Sequence, residues 1–553
     1  MKARKIVLGI LFVFIAISLS AQTEDNTQDS ISRKIQNFMK ECSERGLFNG
    51  SVLVAQDNRI IYKEAIGYAD ILKRAPLSIE SKFNIGSITK SFTAMGIMIL
   101  EEQGKLSYDD RLSIFFPEFP EYTDKITLHH LLCHQSGIKD YSNDLAMFGD
   151  EITDDLIMKR LIQEKLLFDP GTRSRYSNSG YFLLGRIIEK VSGLSYSEFI
   201  QYNIFDPLKM KNSVVYDNKE MNIESKSIGL NFKTPNEKVS FSTGASGIYT
   251  TAEDLYKWHL ALCKTDIVSK KTIDRAFTPS LLSDGYQSRE GYGWHINYSD
   301  DVKIIEHGGA SPAGYISYFW HPVSCDYSIV LLTNYFMSKN FGIVLDGLKA
   351  IINGSKPKEL RTPVMYRFNK YIIENGVNNL KSVFEEYNSD TLNYTKFDEL
   401  NFIQLASFYK NNKHYETAIA LLKIYKKKFP HSLIPLEELI EIFKVNGALE
   451  LIKTAENDLE KLTLKLSTQK QVEIHLKNPK TEDYEMALRV RKGPGSNFNS
   501  ISAIQPGEFY TIIGRSLNGA WLKLKREGWV YYRISRITEE QFKSLPFMRF
   551  AEQ

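Results

Sequence analysis

Phe83-Asn84-Ile85-Gly86-Ser87-Ile88-Thr89-Lys90-Ser91-Phe92-Thr93-Ala94 is the stretch from which the rest of the chain is read. Phe83 to Gly86 is strand-like. The pattern then changes to helical spacing, with Phe92, Met95 and Ile99 on one face and Gly104 as the stop. Ser87 stands at the junction. Helical residues three apart share a face, so Lys90 reaches Ser87 from one turn on. A serine at a helix start feels the positive end of the dipole and offers its own N–H to an oxyanion. Gly86 permits a sharp turn and close approach. A nucleophilic serine needs such a base and such donors. Ser-x-x-Lys also occurs at Ser136, Ser355, Ser407 and Ser467. Ser355 falls in a Gly-Ser-Lys-Pro linker and Ser407 inside a 34-residue repeat, so context favours Ser87.

Two further motifs follow in order. Tyr-x-Asn occurs at Tyr141, Tyr176, Tyr216 and Tyr409, but only Tyr176-Ser177-Asn178 ends a Pro-Gly-containing loop (Phe168 to Tyr181) that opens a helix. His307-Gly308-Gly309 follows strand-like Ile304-Ile305 and precedes Ala310. The ordered set Ser87-x-x-Lys90, Tyr176-Ser177-Asn178 and His307-Gly308-Gly309 resembles the serine β-lactamase and penicillin-binding-protein superfamily, in its class C-related branch of esterases and D-amino-acid peptidases. The stretches Ile126–Ile138, Tyr176–Gly185 and Gly244–Leu255 extend the resemblance across residues 28–355.

The resemblance implies a fold and a set of roles. The fold is α/β (α+β): an antiparallel sheet built from both ends of the segment, with a helical region between. Ser87 attacks a carbonyl and is acylated, and Lys90 and Tyr176 share the base role. Both have ordinary pKa values near 10, so one must be lowered; the phenolate of Tyr176 is the expectation, with neutral Lys90 as the rival. Asn178 holds Lys90 and the substrate amide. The N–H groups of Ser87 and Ala310 form the oxyanion hole, with His307 and Gly309 on the flanking strand. No metal or organic cofactor is implied. β-Lactamases usually carry Lys where His307 stands. A largely neutral His suits a substrate carboxylate less well, which shifts the expectation from β-lactams toward an ester, amide or D-amino-acid peptide. A β-lactamase proper, or an envelope sensor that is acylated without turnover, are the alternatives. His129, His130 and His134 mimic a metal cluster, but no His-Glu-x-x-His is present.

Working outward, Gly50–Ala55 and Ile60–Glu64 flank Asp57-Asn58 as a hairpin. Val302–Ile305, Gly314–Trp320 and Tyr327–Leu332 read as strands, and Tyr181–Val191 as a helix stopped by Gly193. Residues 360–465 turn Lys- and Glu-rich with helical periodicity. Leu405, Tyr409, Asn412 and Ala418 recur 34 residues later as Leu439, Phe443, Asn446 and Ile452, a tetratricopeptide-like spacing. Residues 484–537 switch to short strands (Ala487–Arg491, Phe509–Ile513, Trp521–Leu524, Gly528–Tyr531) with turns at Gly493-Pro494-Gly495, Pro506-Gly507 and Asn518-Gly519. They resemble the bacterial Src-homology-3-like barrel, which implies a peptidoglycan or protein partner.

The chain has 553 residues, enough for roughly three or four domains. A charge balance of 70 basic to 66 acidic residues gives no argument for nucleic acid. Residues 1–21 read as a cleaved signal peptide: Lys2, Arg4 and Lys5, then apolar Ile6–Leu19, then Ser20-Ala21. No later membrane span is expected, so the mature protein is placed in the periplasm or secreted. There the four cysteines can oxidise, although their spacing shows no pairing.

Overall fold

Asp57 and Asn58 both take positive φ, 50° and 60°, the two left-handed residues that a tight hairpin turn requires. They join β1 (Gly50–Gln56) to β2 (Arg59–Ile66). The other four strands of this sheet come from the far end of the segment: β3 (His295–Ser299), β4 (Val302–Ser311), β5 (Tyr315–Pro322) and β6 (Tyr327–Thr333). The sheet is antiparallel in the order β2-β1-β6-β5-β4-β3. Val52 pairs with Leu331, Leu53 with Val330 and Val54 with Ile329, so the two ends of this segment are joined through an apolar centre of the ladder.

The structure is a computed structural model. It describes residues 30–142, 153–216, 221–229, 243–299, 302–311, 313–324, 326–335, 338–362, 364–390 and 399–468, and strand segments between 472 and 531. The signal-peptide reading of residues 1–21 lies outside the described residues. Among those described, no helix is long and apolar enough to cross a membrane.

Alternation along the strands divides two cores. Leu53, Ala55, Ile305, Phe319, Val330 and Leu332 face the helical region. Val52, Val54, Ile304, Trp320, Ile329 and Leu331 face the helix over residues 30–44 and the helix Ser338–Ile352, through Phe38, Val344 and Leu348. With both faces covered, β1 and β6 are buried along nearly their whole length. Three helices organise the other layer: α1 (Thr89–Glu102), α2 (Asn178–Ser192) and α3 (Ala252–Lys264). α1 is buried along nearly its whole length, and Phe92 stacks on Trp258 of α3 at 4.4 Å. The sequence pattern starts α2 at Tyr181, where its apolar stripe begins. The helix in fact starts at Asn178, because the Ser177 side chain caps it by accepting the Gly180 N–H.

Contacts divide the chain into two units, residues 1–363 and 364–553. The second begins with helices Val364–Asn375, Leu380–Ser389, Glu399–Asn411, Tyr415–Lys428, Ile434–Val445 and Leu449–Thr468. Lys413 and Gly447, 34 residues apart, make left-handed turns between successive helices. Phe384, Phe402 and Tyr425 form part of their core. Six short antiparallel strands follow. In chain order they are Val472–His475, Leu488–Arg491, Ser500–Ile504, Phe509–Arg515, Trp521–Leu524 and Trp529–Tyr531. Among the described residues Val472–His475 and Ser500–Ile504 end the sheet order and share no ladder, so they form an open sheet rather than the closed barrel expected. The Gly493-Pro494-Gly495, Pro506-Gly507 and Asn518-Gly519 turns lie outside the described residues.

Candidate active site

The segment before Ser87 is held by pairing. Phe83 and Asn84 sit opposite Thr250 and Tyr249 in a short ladder. The Asn84 side chain then turns back and accepts the Gly86 N–H at 2.8 Å. Gly86 has φ +52°, and a Cβ there would stand 2.8 Å from the amide nitrogen of Ala310. The turn therefore needs glycine twice over, for its conformation and for the approach of β4. Residues Gly86–Ile88 form one 3-10 turn that leads into α1. Ser87 is thus delivered to the N-terminal end of a 14-residue helix, with the Ala310 amide beside it.

Lys90 is fully buried. Its three ammonium donors meet three acceptors: Ser87 Oγ at 3.3 Å, Asn178 Oδ1 at 2.8 Å and the Ala245 carbonyl at 2.8 Å. Burial pushes its pKa down to about 7, with the negative charge of Asp140 opposing the shift. Asn178 is oriented from behind. Its amide nitrogen donates to Asp140 Oδ2 (3.2 Å) and Ser142 Oγ (3.1 Å), and its backbone N–H donates to the same Asp140 oxygen (2.9 Å). That leaves Oδ1 pointing to Lys90. Asp140, Ser142 and the Ala245 carbonyl have no counterpart in the sequence reading. A backbone acceptor leaves no side-chain signal, and Asp140 reads as an ordinary loop acid.

The Tyr176 ring centre lies 4.9 Å from Lys90 Nζ, and its hydroxyl interacts with Ser87. The residue is 37% exposed, and desolvation within the site raises its hydroxyl pKa. The expectation of a Tyr176 phenolate is therefore reversed. A phenolate and an ammonium are both charged forms, and burial disfavours both. It keeps Tyr176 protonated and brings Lys90, not Tyr176, to neutrality near pH 7.

His307 is buried, with Nδ1 2.7 Å from the Gly308 carbonyl. Burial, followed by the charges of His295 and Lys90, holds it well below the usual histidine range, so it is neutral as expected. The His295 ring stacks on it at 4.8 Å. A Cβ at Gly309 would stand 1.9 Å from the Ile85 carbonyl oxygen, so β4 lies directly on the Ser87 turn. Contacts thus link Ser87, Lys90, Tyr176, Asn178 and His307, and place Gly309 and Ala310 against the turn that carries Ser87.

The competing motifs are engaged elsewhere. Lys139, three after Ser136, pairs with Glu164 at 3.2 Å, and Lys410, three after Ser407, pairs with Glu438 and Glu441. His129 meets the Tyr292 hydroxyl at 2.8 Å, and His130 closes a capping box with Thr127. His134 accepts the Ser177 N–H at 3.1 Å. Trp294 packs on Phe277 and Phe319 as a core residue. Among the described residues His259, Cys263 and His321 also group within 4.8 Å. Cys263, however, is disulfide-bonded and offers no thiolate. Cys42 and Cys133 are free and buried.

Comparison with known proteins is consistent with this geometry. A family model described as Beta-lactamase matches residues 31–351. The penicillin-binding protein 4* of Bacillus subtilis (strain 168) is 32% identical over 331 residues, covering 55% of this chain and 71% of that protein. The teichoic acid D-alanine hydrolase of Staphylococcus aureus (strain MRSA252) is 30% identical over 281 residues, 49% of this chain and 67% of that protein. Among solved structures, the octameric penicillin-binding protein homologue from Pyrococcus abyssi superposes with a TM-score of 0.52 at 27% identity. The superposition covers 62% of this chain and 81% of that one.

Proposed function

Because the chain belongs to the Beta-lactamase family, within the β-lactamase and penicillin-binding-protein superfamily, we propose that it is an exported serine hydrolase. It forms an acyl-enzyme on Ser87 from an ester, amide or D-amino-acid peptide. The observation that carries this reading is Lys90. It is fully buried, lies 3.3 Å from Ser87 Oγ, and burial pushes its pKa down to about 7, where it can act as a base.

The sequence of events follows. Neutral Lys90 takes the Ser87 proton as Oγ bonds to the carbonyl carbon. The N–H groups of Ser87 and Ala310 receive the oxyanion, a role in which one donor is typically worth about 10²–10³ in rate. As the tetrahedral adduct collapses, the bond to the leaving alcohol or amine breaks. The neutral Tyr176 hydroxyl, next to Ser87, relays the Lys90 proton to the leaving group. Water then attacks the acyl carbon and gives a proton to the same pair; the acyl–Oγ bond breaks, the pair returns that proton to Ser87 Oγ, and the product acid leaves. Asn178 keeps the Lys90 nitrogen aimed throughout.

The D-amino-acid preference draws support from the relative that acts as a teichoic acid D-alanine hydrolase. Export draws support from the leader-like residues 2–21 and from disulfide-bonded Cys263, a bond that persists in oxidising compartments. The helical repeat and the C-terminal strands are read as tetratricopeptide-like and Src-homology-3-like parts that dock wall material or a protein partner.

The test is steady-state turnover of N-acyl-D-alanine esters and amides, their L-enantiomers and a chromogenic cephalosporin. Sustained hydrolysis of D-esters or D-amides is expected. A single stoichiometric burst that then stops would instead indicate an acylated sensor, and faster turnover of the cephalosporin would indicate a β-lactamase.

A further inference from the structure

His295 is the first residue of β3 and lies opposite Glu306 in the β3–β4 register. Its Nδ1 lies 3.2 and 3.0 Å from the two carboxylate oxygens of Glu290. One ring face stacks on His307 at 4.8 Å, and the Tyr176 ring lies 6.3 Å away. A third of the side chain, 34%, remains open to solvent, and Tyr176 is itself partly exposed. With Nδ1 donating to Glu290, the charged ring has Nε2–H as its second donor.

We infer that His295 is the residue that recognises a substrate carboxylate next to the reacting carbonyl, such as the C-terminal carboxylate of a D-amino-acid peptide. This rests on the serine-hydrolase reading and adds a substrate feature to it. The argument concerns where positive charge is kept. The third motif carries His307, which is buried and neutral. The change from Lys to His at that position removes a cation from β4. The adjacent strand supplies another, a histidine backed by a carboxylate.

The surrounding groups agree on its charge. Burial and the Lys90 ammonium oppose protonation of His295. Glu290, through its hydrogen bond and its charge, and then Glu306 outweigh them, and the pKa is raised above the usual histidine value. His134 and His307 are held neutral, Tyr176 stays a neutral phenol, and Glu306 is itself engaged by Tyr318 and Lys349. The sign is then fixed. A raised histidine pKa leaves the ring charged through its ordinary value near 6.5, and the charge is lost only as pH rises beyond it.

The test uses the full-length chain carrying Ser87→Ala, so that nothing is turned over. Calorimetric titrations compare N-acetyl-D-alanyl-D-alanine with its C-terminal amide from about pH 6 to about pH 9. The acid is expected to bind roughly tenfold more tightly than the amide at the lower pH, as for a hydrogen bond to a charged group. That ratio should fall toward one as the pH rises. His295→Asn should abolish the ratio, with continued amide binding showing that the fold is intact. Glu290→Gln should move the loss of preference to lower pH. Should His295→Asn fail to fold, His295→Lys is expected to hold the preference at the higher pH, where the wild-type residue has lost it. Equal binding of acid and amide, no binding of either, or a preference that survives in His295→Asn overturns the inference. The hydrolase reading stands or falls separately, on turnover by the protein with Ser87 intact.

Discussion

Replacing Gly309 by alanine should disable the site without touching any reacting group. The added methyl would stand 1.9 Å from the Ile85 carbonyl oxygen and 2.4 Å from Ser317 Oγ, whereas real Cβ atoms keep beyond 3.0 Å. Neither neighbour can move aside easily. Ile85 O accepts from Ser317 Oγ at 2.7 Å and from the Ile88 N–H at 3.2 Å, so it is the carbonyl on which the Ser87 turn is closed. Relief therefore requires β4 and that turn to separate by about 1 Å, a displacement that can cost about 10² in rate at a reacting centre. The same movement withdraws the Ala310 N–H, and loss of an oxyanion donor costs about 10²–10³. Gly309→Ala should thus lower kcat for a chromogenic ester by about 10²–10³, with a stability loss of about 1–3 kcal/mol from overpacking. Gly104→Ala serves as the control, since nothing lies within 4 Å of its Cβ and only its φ of +67° is strained. It should lose a little stability and no activity. A folded Gly309→Ala protein with kcat within roughly threefold of wild type would refute the assignment of this strand to the oxyanion hole.

The rate of acylation should rise with pH through a midpoint of about 7, because the deprotonated form of Lys90 is the base. Asp140→Asn removes the charge that raises this pKa and should move the midpoint lower; stopped-flow ester kinetics would check both. Tyr176→Phe should cost about 10² in turnover through loss of the proton relay while leaving the midpoint near 7. A midpoint that vanishes with the hydroxyl would return the base role to Tyr176. Phe92→Ala, which empties a fully buried position stacked on Trp258, should destabilise by about 3–5 kcal/mol in chemical denaturation.

How far the sequence foretells these features depends on what kind of interaction makes each one. The hairpin at Asp57-Asn58 and the stops at Gly104 and Gly193 are local, and each residue type announces its own backbone angle. Ser87, Tyr176 and His307 are legible because their motifs are short and ordered. The start of α2 at Asn178 is displaced from its apolar pattern because a cap, not burial, begins the helix. The protonation of Tyr176 is not legible at all, since it depends on the desolvation of its hydroxyl in the folded chain. Asp140, the Ala245 carbonyl and His295 reach the site only through the packing of distant segments. His295 in particular reads along the chain as an unremarkable residue after Tyr292-Gly293-Trp294.

The most direct test is the intact mass of the full chain after exposure to a fluorophosphonate probe, with Ser87→Ala run beside it. One adduct on the wild type and none on the variant is the expected result, since it requires a serine activated at that position and at no other. A folded wild-type protein that takes no adduct, or a Ser87→Ala protein that still takes one, would contradict the account.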